Sequence, residues 1–158
     1  GCPQSGFLSP YDAYKQTRGK EVIKFAVWRD PVERLVSCYK YFCLEKWYRH
    51  YFHFLDLYRE PTFDHFMMFV RFELDKKCII LQDEHIRKQS DFYSPDDVDF
   101  IVPIKKLDTF LQKYNVPIQY GLKNSTHVDF KLDNEEYINE IRELYKADYE
   151  ILNSTKYI

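Results

Sequence analysis

The sequence predicts a helix-rich α/β fold built on a parallel sheet, and three observations carry that expectation. Residues Val22-Ile23-Lys24-Phe25-Ala26-Val27-Trp28 form a short apolar run, β-branched at its start. Such a run suits a strand in a sheet covered on both faces. The periodicity then switches directly from strand to helix at Asp30-Pro31-Val32-Glu33. Far downstream, Tyr137, Ile138, Ile141, Leu144, Tyr145 and Tyr149 recur at helical spacing, which marks a long amphipathic helix.

Each element follows from local chemistry. Residues 1–20 are polar and punctuated by Pro3, Gly6, Pro10 and Gly19, so they read as turns. After the strand at 22–28, Asp30 suits an N-cap, Pro31 the first helical position and Glu33 the third, a capping box. That helix meets no Gly or Pro until Pro61, with a break expected near residues 48–54. A second helix starts near Thr62, whereas residues 75–95 carry no clear period. Phe100-Ile101-Val102-Pro103-Ile104 reads as a short strand, Pro103 favouring its edge or end. Residues 106–114 suit a helix closed before Pro117, residues 120–132 a polar loop, and residues 134–152 the amphipathic helix. No repeat or linker interrupts the 158 residues, which are expected to form a single domain.

Composition narrows the function classes. A net charge of -2 leaves no global field to draw the chain onto nucleic acid. Cys2, Cys38, Cys43 and Cys78 show no CxxC spacing, so no metal is expected and the thiols read as reduced and mostly buried. His50 and His53, spaced i, i+3, suit an amphipathic helix face better than a metal pair. The glycine-rich run of a P-loop kinase, Gly-x-x-x-x-Gly-Lys-Ser/Thr, is not found.

The strongest chemistry sits where the first strand meets its helix. A strand feeding a helix N-terminus places free backbone N–H groups and the positive dipole end at the strand's C-terminal edge, where open α/β sheets bind ligands. Arg29 precedes the cap and can fork onto an anion there. Ser37 lies two turns on, flanked at three residues by Arg34 and Lys40, which suggests one polar stripe.

In this setting the run Phe25-Ala26-Val27-Trp28-Arg29-Asp30-Pro31-Val32-Glu33-Arg34-Leu35-Val36-Ser37-Cys38-Tyr39 resembles the 3′-phosphate-binding motif of carbohydrate sulfotransferases. These enzymes use the sulfate donor 3′-phosphoadenosine 5′-phosphosulfate (PAPS). The resemblance implies a three-layer, P-loop NTPase-like sulfotransferase fold in which Arg29 and Ser37 bind the donor's 3′-phosphate, with Arg34 beside them. Thr62–Phe66, Asp83–Ser90, Asp99–Leu107, Lys123–His127 and Tyr145–Tyr149 resemble later stretches of the family in the right order, although Lys88 replaces a proline. Lys123 and Ser125 fall in the nucleotide-contacting loop, where a solvated turn is the alternative. The family's upstream strand and its Lys- and Thr- or Ser-bearing turn, which hold the 5′-phosphosulfate, are not recognisable in residues 1–28. The expectation is that an N-terminal piece precedes Gly1.

The implied activity is transfer of a sulfuryl group from PAPS to a carbohydrate hydroxyl. The alternative is a non-catalytic nucleotide-binding module that kept the phosphate grip. His85 is the candidate base, with Asp83 and Glu84 near enough in sequence to orient it; a structural histidine is the competing reading. The aromatic and basic stretch Tyr39–Tyr51 suits either a glycan groove or a core with snorkelling cations. No apolar run approaches the roughly 20 residues of a membrane span. The expected compartment is a bacterial-type cytoplasm, with the Golgi lumen as the alternative if an anchor precedes the chain.

Overall fold

The computed structural model of the chain describes residues 18, 20, 22–45, 58, 60–116 and 128–158. Strand β1 spans Phe25–Trp28 and strand β2 spans Phe100–Pro103. They pair in parallel, with Phe25 opposite Phe100 and Trp28 opposite Pro103. Val22 and Ile23 stay outside the ladder. Pairing begins at Lys24, whose carbonyl accepts from both Asp99 N and Phe100 N while its own N–H donates to the Asp99 carboxylate. On the far side of β2, Ile101 donates to Lys156 O at 2.8 Å and accepts from Ile158 N at 3.1 Å, an isolated parallel bridge centred on Tyr157. The molecule is therefore helix-rich α/β with a small parallel sheet.

Alternation along β2 separates two apolar layers. Ile101, fully buried, packs with Trp28, Val98 and Ile151 on one face. Val102 and Phe100 turn the other way, onto Phe110 and Leu111. Those two residues belong to helix α3, defined below, so the sheet is covered on both faces, although Phe25 at its start remains 39% exposed.

Helix α1 spans Pro31–Tyr39 and runs on into a π-helical turn, Lys40–Leu44, where Glu45 N reaches back to Lys40 O at 2.9 Å. The expected continuation toward Pro61 falls on residues 46–57, outside the described set. Helix α2, Phe63–Leu74, starts at a capping box in which Thr62 and His65 exchange bonds. Residues 75–95, which carried no period, form 3₁₀ turns at Ile79–Leu81 and Gln89–Asp91, with a third at Pro95–Asp97. Helix α3, Leu107–Lys113, closes on Asn115 at φ 54°, with Val116 N bonded to Leu111 O. A left-handed residue just past a helix end is the usual device for satisfying its last carbonyls.

The amphipathic segment is not one helix. Helix α4 spans Glu135–Leu144 and helix α5 spans Lys146–Glu150, broken at Tyr145 (φ -106°, ψ 23°). The cause is tertiary. Tyr145 is fully buried and its hydroxyl donates to Ile86 O at 2.6 Å, so the chain bends to deliver the ring. The largest apolar cluster lies among α1, α2 and α4 and includes Leu35, Tyr39, Phe42, Phe66, Met67, Ile86 and Ile141. Burying such side chains contributes roughly 1.5–3 kcal/mol each. Tyr39 anchors an aromatic group, its ring edge-on to Phe63 and Phe130.

Candidate functional site

The end of β1 and the first turns of α1 build the candidate site. Asp30 Oδ1 accepts from Val32 N at 2.9 Å and from Glu33 N at 3.1 Å. The helix N-terminus is thus already occupied by a carboxylate, and an anion here must be met by side chains rather than by those N–H groups. Glu33 does not complete a capping box; its carboxylate pairs with Lys105 Nζ at 2.7 Å.

Two cavities flank this turn. One, of about 250 Å³, is lined by Arg29, Glu33, Val36, Ser37 and Lys40. The other, of about 200 Å³, lies beyond the strand ends against Trp28, Arg29, Glu33, Pro103, Lys105 and Tyr157. Arg29 and Glu33 belong to both. Lys40 reaches the first cavity from the residue at which the helix changes to π geometry, a change often found at functional positions. Among the described residues, Arg29, Ser37 and Lys40 side chains have no hydrogen-bond or ion-pair partner.

Arg34 is placed differently. It does not line the Ser37 cavity. Its Nη2 donates to Arg87 O at 2.6 Å and to Glu84 O at 3.2 Å, holding the 83–89 loop against α1. One residue further round, Cys38 Sγ contacts His85 O at 3.8 Å. The stripe expected from sequence is therefore two neighbouring faces: Arg29, Ser37 and Lys40 on one, Arg34 and Cys38 on the other. Three residues leave Arg34 and Ser37 only about 60° apart around the helix, and it is the carbonyls of Glu84 and Arg87 that draw Arg34 to the loop.

His85 sits on that loop. Its Nδ1 is 3.1 Å from Asp83 Oδ1, and its backbone N–H donates to the same oxygen at 2.9 Å. Its ring meets Phe42 edge-on with centroids 5.2 Å apart. Burial alone would raise the Asp83 carboxyl, but the bonds from His85 outweigh it and hold Asp83 below the ordinary carboxylate value. A carboxylate fixed on Nδ1 orients the imidazole. Burial pushes the Cys38 thiol up to about 11, against the opposing pull of Arg34 and Arg29, so it is not a thiolate nucleophile at neutral pH.

Lys123 and Ser125, which the resemblance placed in a nucleotide-contacting loop, lie outside the described residues, as do His50, His53 and His127. Among the described residues no group of three His, Cys, Asp or Glu is placed to hold a metal, and no helix is long and apolar enough to cross a membrane.

Two residues that shape the site escaped the sequence reading. Gln89 bonds both backbone groups of Arg29, accepting from its N–H at 2.9 Å and donating to its carbonyl at 2.8 Å. Asp148, fully buried, accepts the backbone N–H groups of Gln89 and Ser90, each at 2.9 Å. Both lie in segments that the family resemblance had marked, yet no local pattern pairs residues so far apart in sequence. Searches against models of protein families, curated protein sequences and solved structures found no match to this chain.

Proposed function

We propose that the chain is the nucleotide-gripping part of a PAPS-dependent sulfotransferase acting on a carbohydrate hydroxyl. The observation that carries the reading is the convergence of Arg29, Ser37 and Lys40 on one cavity at the C-terminal end of a parallel strand. A guanidinium, an ammonium and a hydroxyl supply charge-assisted and neutral donors to a dianionic phosphate. The sequence resemblance, with Arg29 and Ser37 at the family's spacing, gives that phosphate its identity as the donor's 3′ end. PAPS is a substrate here: the acceptor oxygen attacks sulfur, the sulfur–oxygen bond to the 5′-phosphate breaks, and adenosine 3′,5′-bisphosphate leaves. The acceptor proton would pass to a base, for which His85 oriented by Asp83 is the candidate.

Calorimetry with adenosine 3′,5′-bisphosphate tests the grip. Binding is expected in the wild type and is expected to fall at least tenfold in Arg29→Ala and in Ser37→Ala. Absence of binding in the wild type refutes the reading. Transfer of labelled sulfate from PAPS to a panel of glycans then separates an enzyme from a module that binds the nucleotide without catalysis.

A further inference from the structure

Arg29 stands between a strand and a helix cap, with no regular element of its own to fix it. What fixes it is distant in sequence. The Gln89 carboxamide closes a ring of two hydrogen bonds on the Arg29 backbone, at 2.9 and 2.8 Å. Gln89 is only 8% exposed and is itself held by Asp148, whose Oδ2 accepts the Gln89 N–H at 2.9 Å and lies 3.4 Å from Gln89 Nε2. A buried carboxylate is costly unless hydrogen-bonded, so Asp148 demands these donors and thereby fixes the loop that carries Gln89. The residues on either side of Arg29 are tied to the same helix turn. Trp28 Nε1 donates to Asp148 O at 3.0 Å, and Tyr149 hydroxyl donates to Asp30 Oδ2 at 3.1 Å.

We propose that Gln89, locked by Asp148, is a positioning residue for the anion site: its clamp on the Arg29 backbone aims the guanidinium at the cavity shared with Ser37 and Lys40. This rests on the anion-binding reading given above. The physical reason is preorganisation. An arginine side chain carries about 2 kcal/mol of rotamer entropy, and a free turn would add backbone freedom to be lost on binding. The clamp removes the backbone part before the ligand arrives. Both polar ends of the Gln89 side chain are used on Arg29 rather than on capping its own loop.

The test compares Gln89→Met, which keeps length and loses both hydrogen bonds, with Tyr145→Phe. The latter removes the bond from Tyr145 to Ile86 O between the same two segments but leaves every Arg29 contact in place. Adenosine 3′,5′-bisphosphate is titrated calorimetrically into each full-length variant, with thermal unfolding and amide hydrogen exchange in parallel. Gln89→Met is expected to weaken binding at least tenfold and to deprotect the Arg29 N–H. Tyr145→Phe is expected to lower thermal stability with affinity within twofold of wild type. Equal loss of affinity in both variants means a general structural effect and overturns the proposal, as does unchanged affinity in Gln89→Met. Should Gln89→Met not unfold cooperatively, Gln89→Leu, which likewise loses both hydrogen bonds to Arg29, is judged by the same criteria. If the wild type binds no bisphosphate, the anion reading fails by itself. The clamp is then judged by exchange alone, and an Arg29 amide equally protected in Gln89→Met overturns it.

Discussion

Lys105 Nζ lies 2.7 Å from Glu33 Oε1, an ion pair that joins the turn after β2 to the first turn of α1 beside Arg29. Glu33 lines both cavities at the site, so its carboxylate sets their charge as much as Arg29 does. Glu33→Gln removes a negative charge facing any anion and frees Lys105. The expected result is several-fold tighter binding of adenosine 3′,5′-bisphosphate, with a steeper loss of affinity as salt rises. Thermal stability should hardly change, because both partners are substantially exposed and such pairs contribute little. Calorimetry at two ionic strengths checks this.

Arg34 should behave as a structural residue. Its bonds to Glu84 O and Arg87 O fasten the 83–89 loop. Arg34→Ala is expected to lower unfolding free energy by about 1.5–3 kcal/mol, the usual contribution of a hydrogen bond from a charged group. Its bisphosphate affinity should fall less than that of Arg29→Ala. Urea denaturation and calorimetry on both variants give the comparison.

Asp83 makes a pH prediction of definite sign. Its folded pKa is lowered, so its contribution is present above the unfolded value and is lost as pH falls through the folded one. Wild type should exceed Asp83→Asn in stability above the ordinary carboxylate range. The margin should shrink as pH drops below the ordinary carboxylate value of 3.8. Denaturation curves for the two proteins across that range measure it.

Cysteine reactivity should divide by environment. Cys78 is exposed, whereas Cys43 is buried and the Cys38 thiol is pushed up to about 11 by burial. Iodoacetamide on the native protein at about pH 8, below the unperturbed thiol value, should alkylate Cys78 well before Cys38 or Cys43. Peptide mapping by mass spectrometry reads the order.

Core packing offers a stability scale for these effects. Phe66 is fully buried among Tyr39, Phe63 and Phe69. Phe66→Ala is expected to cost about 3–5 kcal/mol, measured by urea denaturation.

What the sequence determined by itself is local. The strand into Trp28, the Asp30 cap with Pro31 at the first helical position, and the Thr62 helix start are written in neighbouring residues, because capping and periodicity act over one or two turns. The presence of Arg29 and Ser37 at the strand-to-helix junction was legible for the same reason. Tertiary structure decided the rest. It sent Arg34 away from the cavity, because the 83–89 loop offered carbonyls that a helical wheel cannot show. It broke the final amphipathic segment at Tyr145, because a buried ring and its hydrogen bond to Ile86 outweighed helix propensity. It also brought Gln89 onto Arg29 and Asp148 onto Gln89. Such contacts depend on where loops close in space, and a pattern of residues along the chain does not encode them locally.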